Sequence, residues 1–407
     1  MSAPELRRSI TLLPLSLYGI GTTVGAGIYV LIGAAAGYAG ENIALGFLLS
    51  ALIVAPSAAS FAALARRNPV SAGEAAYVEE GFGSGGLSLV VGLAVVTAGM
   101  VSSAAITRGA AGYVLAIVPL TETVIIVAIV LGLGAIAAWG ISQSMILAAS
   151  LAVIEILGLV AVIAVGFSHL SVATVMSALV PDVSQGFLLP ATGIFQAALI
   201  AFFAFIGFED IVNLAEETRR PRRTVPLAIA ITLIATAMLY ISVSLAAIAV
   251  VPPADLAQSD APLALVIERG LGAGATAFAA IAVLAALNGI LVQMVMATRV
   301  LYGLARLGRV PAFFARVNAR TQTPLIATVV VVTMICTLSF ALPLVRLAET
   351  TSTITLLIFT MVNLSLLAIR LRENAGVFAR SRAACLPALG AITSIGFLGV
   401  QFLSASY

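Results

Sequence analysis

Apolar positions along this chain come in long unbroken blocks, not in the two-residue alternation of strands or the single stripe of a surface helix. Eleven blocks are long enough to cross roughly 30 Å of hydrocarbon as helices. They lie near 10–37, 41–64, 86–118, 122–140, 144–167, 191–216, 225–251, 272–305, 324–343, 350–370 and 384–404. Gly40-Glu41-Asn42 and Pro119 separate blocks that would otherwise merge. The expectation is an all-α polytopic membrane protein, one transmembrane domain over 1–407 without a soluble domain. The longest connections are 66–85, 168–190, 252–271 and 306–323. Segment 70–82 reads as a short interfacial helix with Tyr77 and Phe82 as apolar anchors, and 251–270 takes the corresponding place five spans later.

Two blocks are interrupted at their centres. Span one carries Gly19, Gly21, Gly25 and Gly27 with Thr22 and Thr23 between them. Span six reads Phe202-Phe203-Ala204-Phe205-Ile206-Gly207-Phe208-Glu209-Asp210. Helix-disfavouring residues at bilayer depth are tolerated where protein re-satisfies the backbone or where the backbone lines a polar cavity. Interrupted spans five apart are what two inverted five-helix repeats predict. These would cover about 10–167 and 191–371, with an additional span at 384–404. Close helix packing at the glycines is the competing reading.

A broken helix exposes N–H groups at the start of one half and carbonyls at the end of the other. The first suit a carboxylate, the second an ammonium or a metal cation. An α-amino acid carries both charges on one carbon. Gly25-Ala26-Gly27 leaves the backbone open to a ligand carboxylate, with the Thr22 and Thr23 hydroxyls nearby. Carbonyls near Ile20 and Gly21, and near Phe203, Ile206 and Gly207, would take the amine.

Composition agrees and narrows the class. The chain is 61% hydrophobic and 9% charged, with mean hydropathy +1.17, far from the roughly 25% charge of soluble domains. Every basic residue is an arginine. If the N-terminus is cytoplasmic, Arg7, Arg8, Arg66, Arg67, Arg219, Arg220, Arg222, Arg223, Arg306, Arg309, Arg316, Arg320, Arg370, Arg372, Arg380 and Arg382 share the cytoplasmic face. Arg269 and Arg346 fall outside, and Arg108 and Arg299 within spans. The bias predicts N-in orientation in the cytoplasmic membrane with the C-terminus outside. It also explains the pI of 9.1 without nucleic acid as a partner. No cleavable signal peptide is evident. Cys336, Cys385 and His169 are scattered, so neither a metal site, a nucleophile nor a disulfide framework is expected. No phosphate-binding loop is present. An enzyme and a cofactor are therefore not expected. Trp139 fits an interfacial position.

Glu155 stands alone in the fifth block. A charge at that depth normally faces a protein interior or a polar cavity. It is a candidate for proton exchange, for pairing with a cation, or for capping the freed N–H groups of span one. Glu209 and Asp210 follow the break in span six; Glu216 and Glu217 stand among arginines at its end. Asn288 and Gln293 in span eight and Ser352 and Thr353 in span ten are weaker pocket candidates, since such residues also bond between helices. Arg108 would snorkel to the outer interface.

At these residues the chain resembles the amino acid–polyamine–organocation transporters. The resemblance lies in 19–29, in 203–209 with 216–226, in Asn68 to Tyr77 with Phe82-Gly83, and in Thr298 to Tyr302 with Arg306 to Pro311. It covers about 9–371 and implies the LeuT-like fold, a 5+5 inverted repeat with discontinuous spans one and six. It also implies that Phe203 is an aromatic covering the substrate and Glu209 an acid below it on the cytoplasmic pathway. Some proton-coupled relatives place a lysine where this chain has Glu155. The usual paired glycines of the cytoplasmic segment are here Gly73-Glu74.

The reading is a secondary transporter moving amino acids or amines by alternating access, with proton symport ahead of exchange or polyamine transport. A passive channel or a sensor without transport is the reading from another class. Phe203 and Phe208 make the pocket read as mostly apolar, which favours neutral amino acids. Oligomeric state is left open.

Overall fold

A computed structural model describes residues 10–404 except 26, 70–72, 116, 140–144, 182–187, 307, 319–322 and 374–376. All eleven apolar blocks are helical. Among the described residues there is no strand, only an isolated bridge between Ile10 and Thr218. The bridge and the bond from Arg219 N–H to Ile10 O, 2.8 Å, tie the entry of span one to the exit of span six.

Seven stretches are long and apolar enough to cross a membrane; one of them, Leu12–Arg67, contains the first two blocks. Leu151–Phe167 qualifies together with Val172–Leu179, from which it is bent by 116°. Glu122–Ala138 and Leu325–Ala341 are shorter apolar helices. Leu13, Leu157, Met238, Val329 and Ile392 are each 60% exposed or more. On a soluble protein this would be a liability; here it is the surface that meets lipid.

Spans one and six are broken as expected. Span one runs Leu12–Val24, turns at Gly25 and resumes as Gly27–Ala39. Span six runs Leu188–Phe205, turns at Gly207 and continues as a 3₁₀ helix, Phe208–Glu217. The other spans surround this pair in a mirrored scheme. Span two (Ile43–Arg67) packs on span seven (Pro221–Val250), and span three (Gly85–Leu115) on span eight (Ala275–Arg306). Span five (Met145–Phe167) lies against span seven as span ten (Leu344–Glu373) lies against span two. The fold is thus an all-α LeuT-like bundle with discontinuous first and sixth spans.

The connecting helix after span two is Gly73–Phe82. It departs from the interfacial expectation. Tyr77 is fully buried, its ring edge-on to Phe61 at 6.5 Å, while Phe82 is 39% exposed. The cause is span ten, which packs over this helix and turns the tyrosine face inward. Two of its acids, Glu79 and Glu80, reach outward instead. Glu80 pairs with Arg67 at 2.5 Å and Glu79 with Arg309 at 2.8 Å; Arg67 also meets Glu373 at 2.6 Å. The ends of spans two, eight and ten thus meet on the arginine-rich face.

Candidate functional site

The two breaks lie against each other. The Thr22 hydroxyl points at Gly19 O, 3.0 Å, and at Gly207 O, 3.1 Å. A side chain on Gly207 would begin 2.7 Å from Thr22 O, and its φ of +123° already disfavours any other residue. One on Gly27 would begin 2.6 Å from the Ala204 backbone. Gly25 is roomier, its nearest neighbour 3.4 Å away. Close packing at Gly27 and an open backbone at Gly25 therefore coexist in one motif.

Between the breaks lies a cavity of about 20 Å³ lined by Thr22, Thr23, Gly27, Phe203, Ile206 and Gln293 of the expected residues, with Ser102, Ile106, Gly289 and Val292. It has room for one water and not for an amino acid, so filling it requires the helices around it to separate. Ile20, Gly21, Gly25 and Gly207 do not line it, and Ala26 lies outside the described residues. Gly21 O accepts the Gly25 N–H at 3.0 Å, and Phe203 O the Ile206 N–H at 3.2 Å. Two of the carbonyls expected to meet an amine are thus engaged by the turns themselves.

Tyr240 of span seven is the residue that sequence reasoning missed. Its hydroxyl lies 2.8 Å from Thr23 O and 2.8 Å from Ala204 O, so one side chain spans the ends of both broken helices. Nothing in the run around it distinguishes this tyrosine, because its role depends on packing between spans remote in sequence.

Glu155 is 1% exposed. One carboxylate oxygen accepts from Asn288 Nδ2 at 3.3 Å, and the other has no partner. It does not cap the N–H groups of span one, as the sequence suggested. The link to that span runs through its backbone carbonyl, which accepts the Tyr29 hydroxyl at 2.6 Å. Tyr29 O in turn accepts the Tyr113 hydroxyl at 2.6 Å, joining spans one, three and five. Asn288 therefore belongs with Glu155, not with the pocket.

An acid does cap a break, but in span six: Glu209 Oε2 accepts the Gly207 N–H at 2.9 Å. Beneath the pocket, toward the arginine-rich end, is a second cavity of about 30 Å³. Glu74, Glu209 and Asp210 line it with Gln293, Ser102, Thr351 and Thr355. The two cavities share Ser102, Ile206 and Gln293 as walls. Gln293 Nε2 reaches Asp210 Oδ2 at 3.4 Å. Burial pushes the Glu74 carboxyl, in its connecting helix, up from 4.5 to about 7.

Other expectations shift. Phe208 lines neither cavity; it packs edge-on to Phe61 and Phe359, at 5.8 and 5.5 Å. Ser352 reaches Leu199 O and Thr353 reaches Glu349 O, so neither faces the pocket; Thr351 and Thr355, on the adjacent face, line the acid cavity. Arg108 does not snorkel freely. It pairs with Glu122 at 3.0 Å and donates to Ser339 O at 2.9 Å, joining spans three, four and nine. The Trp139 indole and the Glu216 and Glu217 carboxylates lie outside the described side chains.

A family model for amino acid permeases matches residues 10–406. The chain belongs to the amino acid permease family. This permease is 28% identical over 402 residues to the vacuolar cationic amino acid transporter 4 of Arabidopsis thaliana, covering 92% of this chain. It spans only 65% of that relative's length. It is 28% identical to the branched-chain amino acid permease BcaP of Bacillus subtilis, covering 91% of this chain and 82% of that one. A Na⁺-coupled sialic acid symporter, solved substrate-bound and outward-open, superposes with TM-score 0.64 at 14% identity, covering 95% of the permease and 90% of the symporter. That likeness is one of fold.

Proposed function

We propose that this permease is a secondary transporter that moves amino acids across the cytoplasmic membrane by alternating access, coupled to protons. The observation that carries the reading is the meeting of two broken helices at one small cavity. The substrate carboxylate docks on free N–H groups at the start of the second half of span one, around Gly25–Gly27. The amine is taken by carbonyls of the facing ends, and Phe203 covers the substrate from the pocket wall. Binding requires Ile206 and Phe203 to give up their turn bond or to accept a second partner on the carbonyl.

Glu155 is the proton-exchanging group in this reading. Its unpartnered oxygen is buried where spans five and eight meet span one. A buried carboxylate without a counter-charge is costly. Taking up a proton removes that cost, and losing it restores it, which biases the helices packed around it. The arginine bias supports a cytoplasmic N-terminus, and in this reading the eleventh span ends outside. The repeats cover about 10–167 and 191–371.

The test is uptake of a panel of labelled amino acids into liposomes, with and without an imposed pH gradient. Accumulation driven by inward protons is expected. Glu155→Gln, which keeps shape and hydrogen bonding, is expected to bind substrate, lose most gradient-driven uptake and flatten the rate-against-pH profile. Uptake that needs a second amino acid inside and ignores the gradient points to exchange. A Glu155→Gln protein with the wild-type profile makes that residue structural.

A further inference from the structure

The acid cavity below the pocket is not needed to hold the common α-amino and α-carboxylate groups. Three carboxylates line it, each more than nine-tenths buried, and no basic residue does. None of the three forms an ion pair among the described residues. Glu209 is engaged by the Gly207 N–H and Asp210 only by a long bond from Gln293. Two hydroxyls supply an independent observation. Ser102 of span three is 4% exposed and Thr355 of span ten 3% exposed; both line the cavity. Neither has a hydrogen-bond partner among the described residues. Buried hydroxyls are almost always bonded, so two facing one acidic space mark the place of a group that is not part of the chain.

The chemistry of that group follows from the walls. A cation suits it, because a buried carboxylate stays ionised where a counter-charge meets it and otherwise takes up a proton. It brings several donors, because the walls offer carboxylate and hydroxyl oxygens. Among the described residues no group of three or more His, Cys, Asp and Glu side chains is placed to hold a metal ion. The occupant is small, since about 30 Å³ takes a group the size of one water. It is an extension of the pocket's occupant, since the cavities share Ser102, Ile206 and Gln293.

We propose that this cavity, lined by Glu74, Asp210, Ser102 and Thr355, is the subsite for the side-chain ammonium of a cationic amino acid such as lysine or ornithine. The inference rests on the reading of the pocket as an amino acid site. It reverses the preference for neutral side chains read from Phe203 and Phe208, because Phe208 turns away and acids take its place. A primary ammonium, with three N–H donors, matches the hydroxyl and carboxylate acceptors. A guanidinium is larger and requires the cavity to widen.

Lysine and norleucine have the same carbon chain and differ only in the terminal ammonium. Their affinities for the full-length protein in detergent, read by ligand-induced thermal shift, isolate the subsite. The wild type is expected to favour lysine by at least about tenfold, the discrimination of a site whose polar groups norleucine leaves unpaired. Glu74→Gln and Asp210→Asn are each expected to shrink that ratio by about tenfold, and Thr355→Val, which leaves the acids in place, by a few-fold. A wild type that binds norleucine as well as lysine overturns the proposal. So does an unchanged lysine-to-norleucine ratio in Asp210→Asn and Thr355→Val, which would make the acids proton carriers serving every substrate. Binding of neither compound, nor of any amino acid in the uptake panel, would instead sink the amino acid reading of the pocket itself.

Discussion

The two broken spans solve one problem in different ways. Span one resumes as an α-helix, and its turn is closed by backbone and hydroxyl: Gly25 N–H returns to Gly21 O, and Thr22 bridges to span six. Among the described residues no carboxylate touches that break; the side chain that reaches it is the Tyr240 hydroxyl, on Thr23 O. Span six resumes as a tighter 3₁₀ helix through a glycine at φ +123°, and a carboxylate, Glu209, satisfies the freed N–H. The first break therefore has no anion of its own among the described residues. The second supplies its own anion and carries two more acids beside it. Pseudo-symmetry thus extends to the helices and stops at the chemistry of their ends.

The largest expected effect tests the conformational half of that contrast. Gly207→Ala places a Cβ at a positive φ and within 2.7 Å of Thr22 O, and the strained backbone costs about 1–3 kcal/mol before the clash is counted. Gly25→Ala meets nothing closer than 3.4 Å. In thermal unfolding, Gly207→Ala is expected to fall further below the wild type than Gly25→Ala, whose backbone (φ 16°, ψ −130°) also suits glycine but whose added Cβ meets no clash. Equal melting temperatures for the two variants would mean that the breaks are conformationally alike.

An intermediate effect concerns the cap. Glu209→Ala leaves the Gly207 N–H unbonded and buried, a loss of about 1–3 kcal/mol. Glu209→Gln keeps an acceptor and removes the charge. Glu209→Ala is expected to unfold at clearly lower denaturant than Glu209→Gln. If the two are indistinguishable, the charge and not the bond matters at this break.

The smallest effect is the pH response beside the second break. The Glu74 carboxyl sits at about 7 when folded against 4.5 ordinarily. A raised value means the folded state prefers the proton. Its contribution to stability is whole below about 4.5 and is lost as pH rises through about 7. The wild-type melting temperature is expected to drop more between about pH 5 and about pH 8 than that of Glu74→Gln. Parallel curves for the two proteins would remove Glu74 as the source.

Much of the fold is legible in the amino-acid order alone. Helices at bilayer depth need long apolar blocks, so all eleven can be read directly, and glycine clusters with adjacent acids mark both breaks. What escapes depends on which face a side chain presents once spans pack. Tyr77 and Phe82 are equally apolar in sequence, yet span ten buries one and leaves the other exposed. Ser352 and Thr353 look as suitable as Thr351 and Thr355, but only the latter pair faces the cavity. Glu155 stands out as a lone buried acid, while its partner Asn288, 133 residues away, reads in sequence as a pocket residue. Glu74 is visible only as a departure from a glycine pair, with no hint that it joins Glu209 and Asp210.

Tyr240 has a consequence for the order in which the halves can move. A phenol has one hydrogen to give, and here two carbonyls compete for it at equal distance. When either helix end withdraws, the hydrogen passes wholly to the other, and little is lost. When both withdraw, a buried hydroxyl is stranded at a cost of about 1–3 kcal/mol. The residue therefore acts as an interlock, permitting one half to yield at a time and resisting the joint opening of both broken helices.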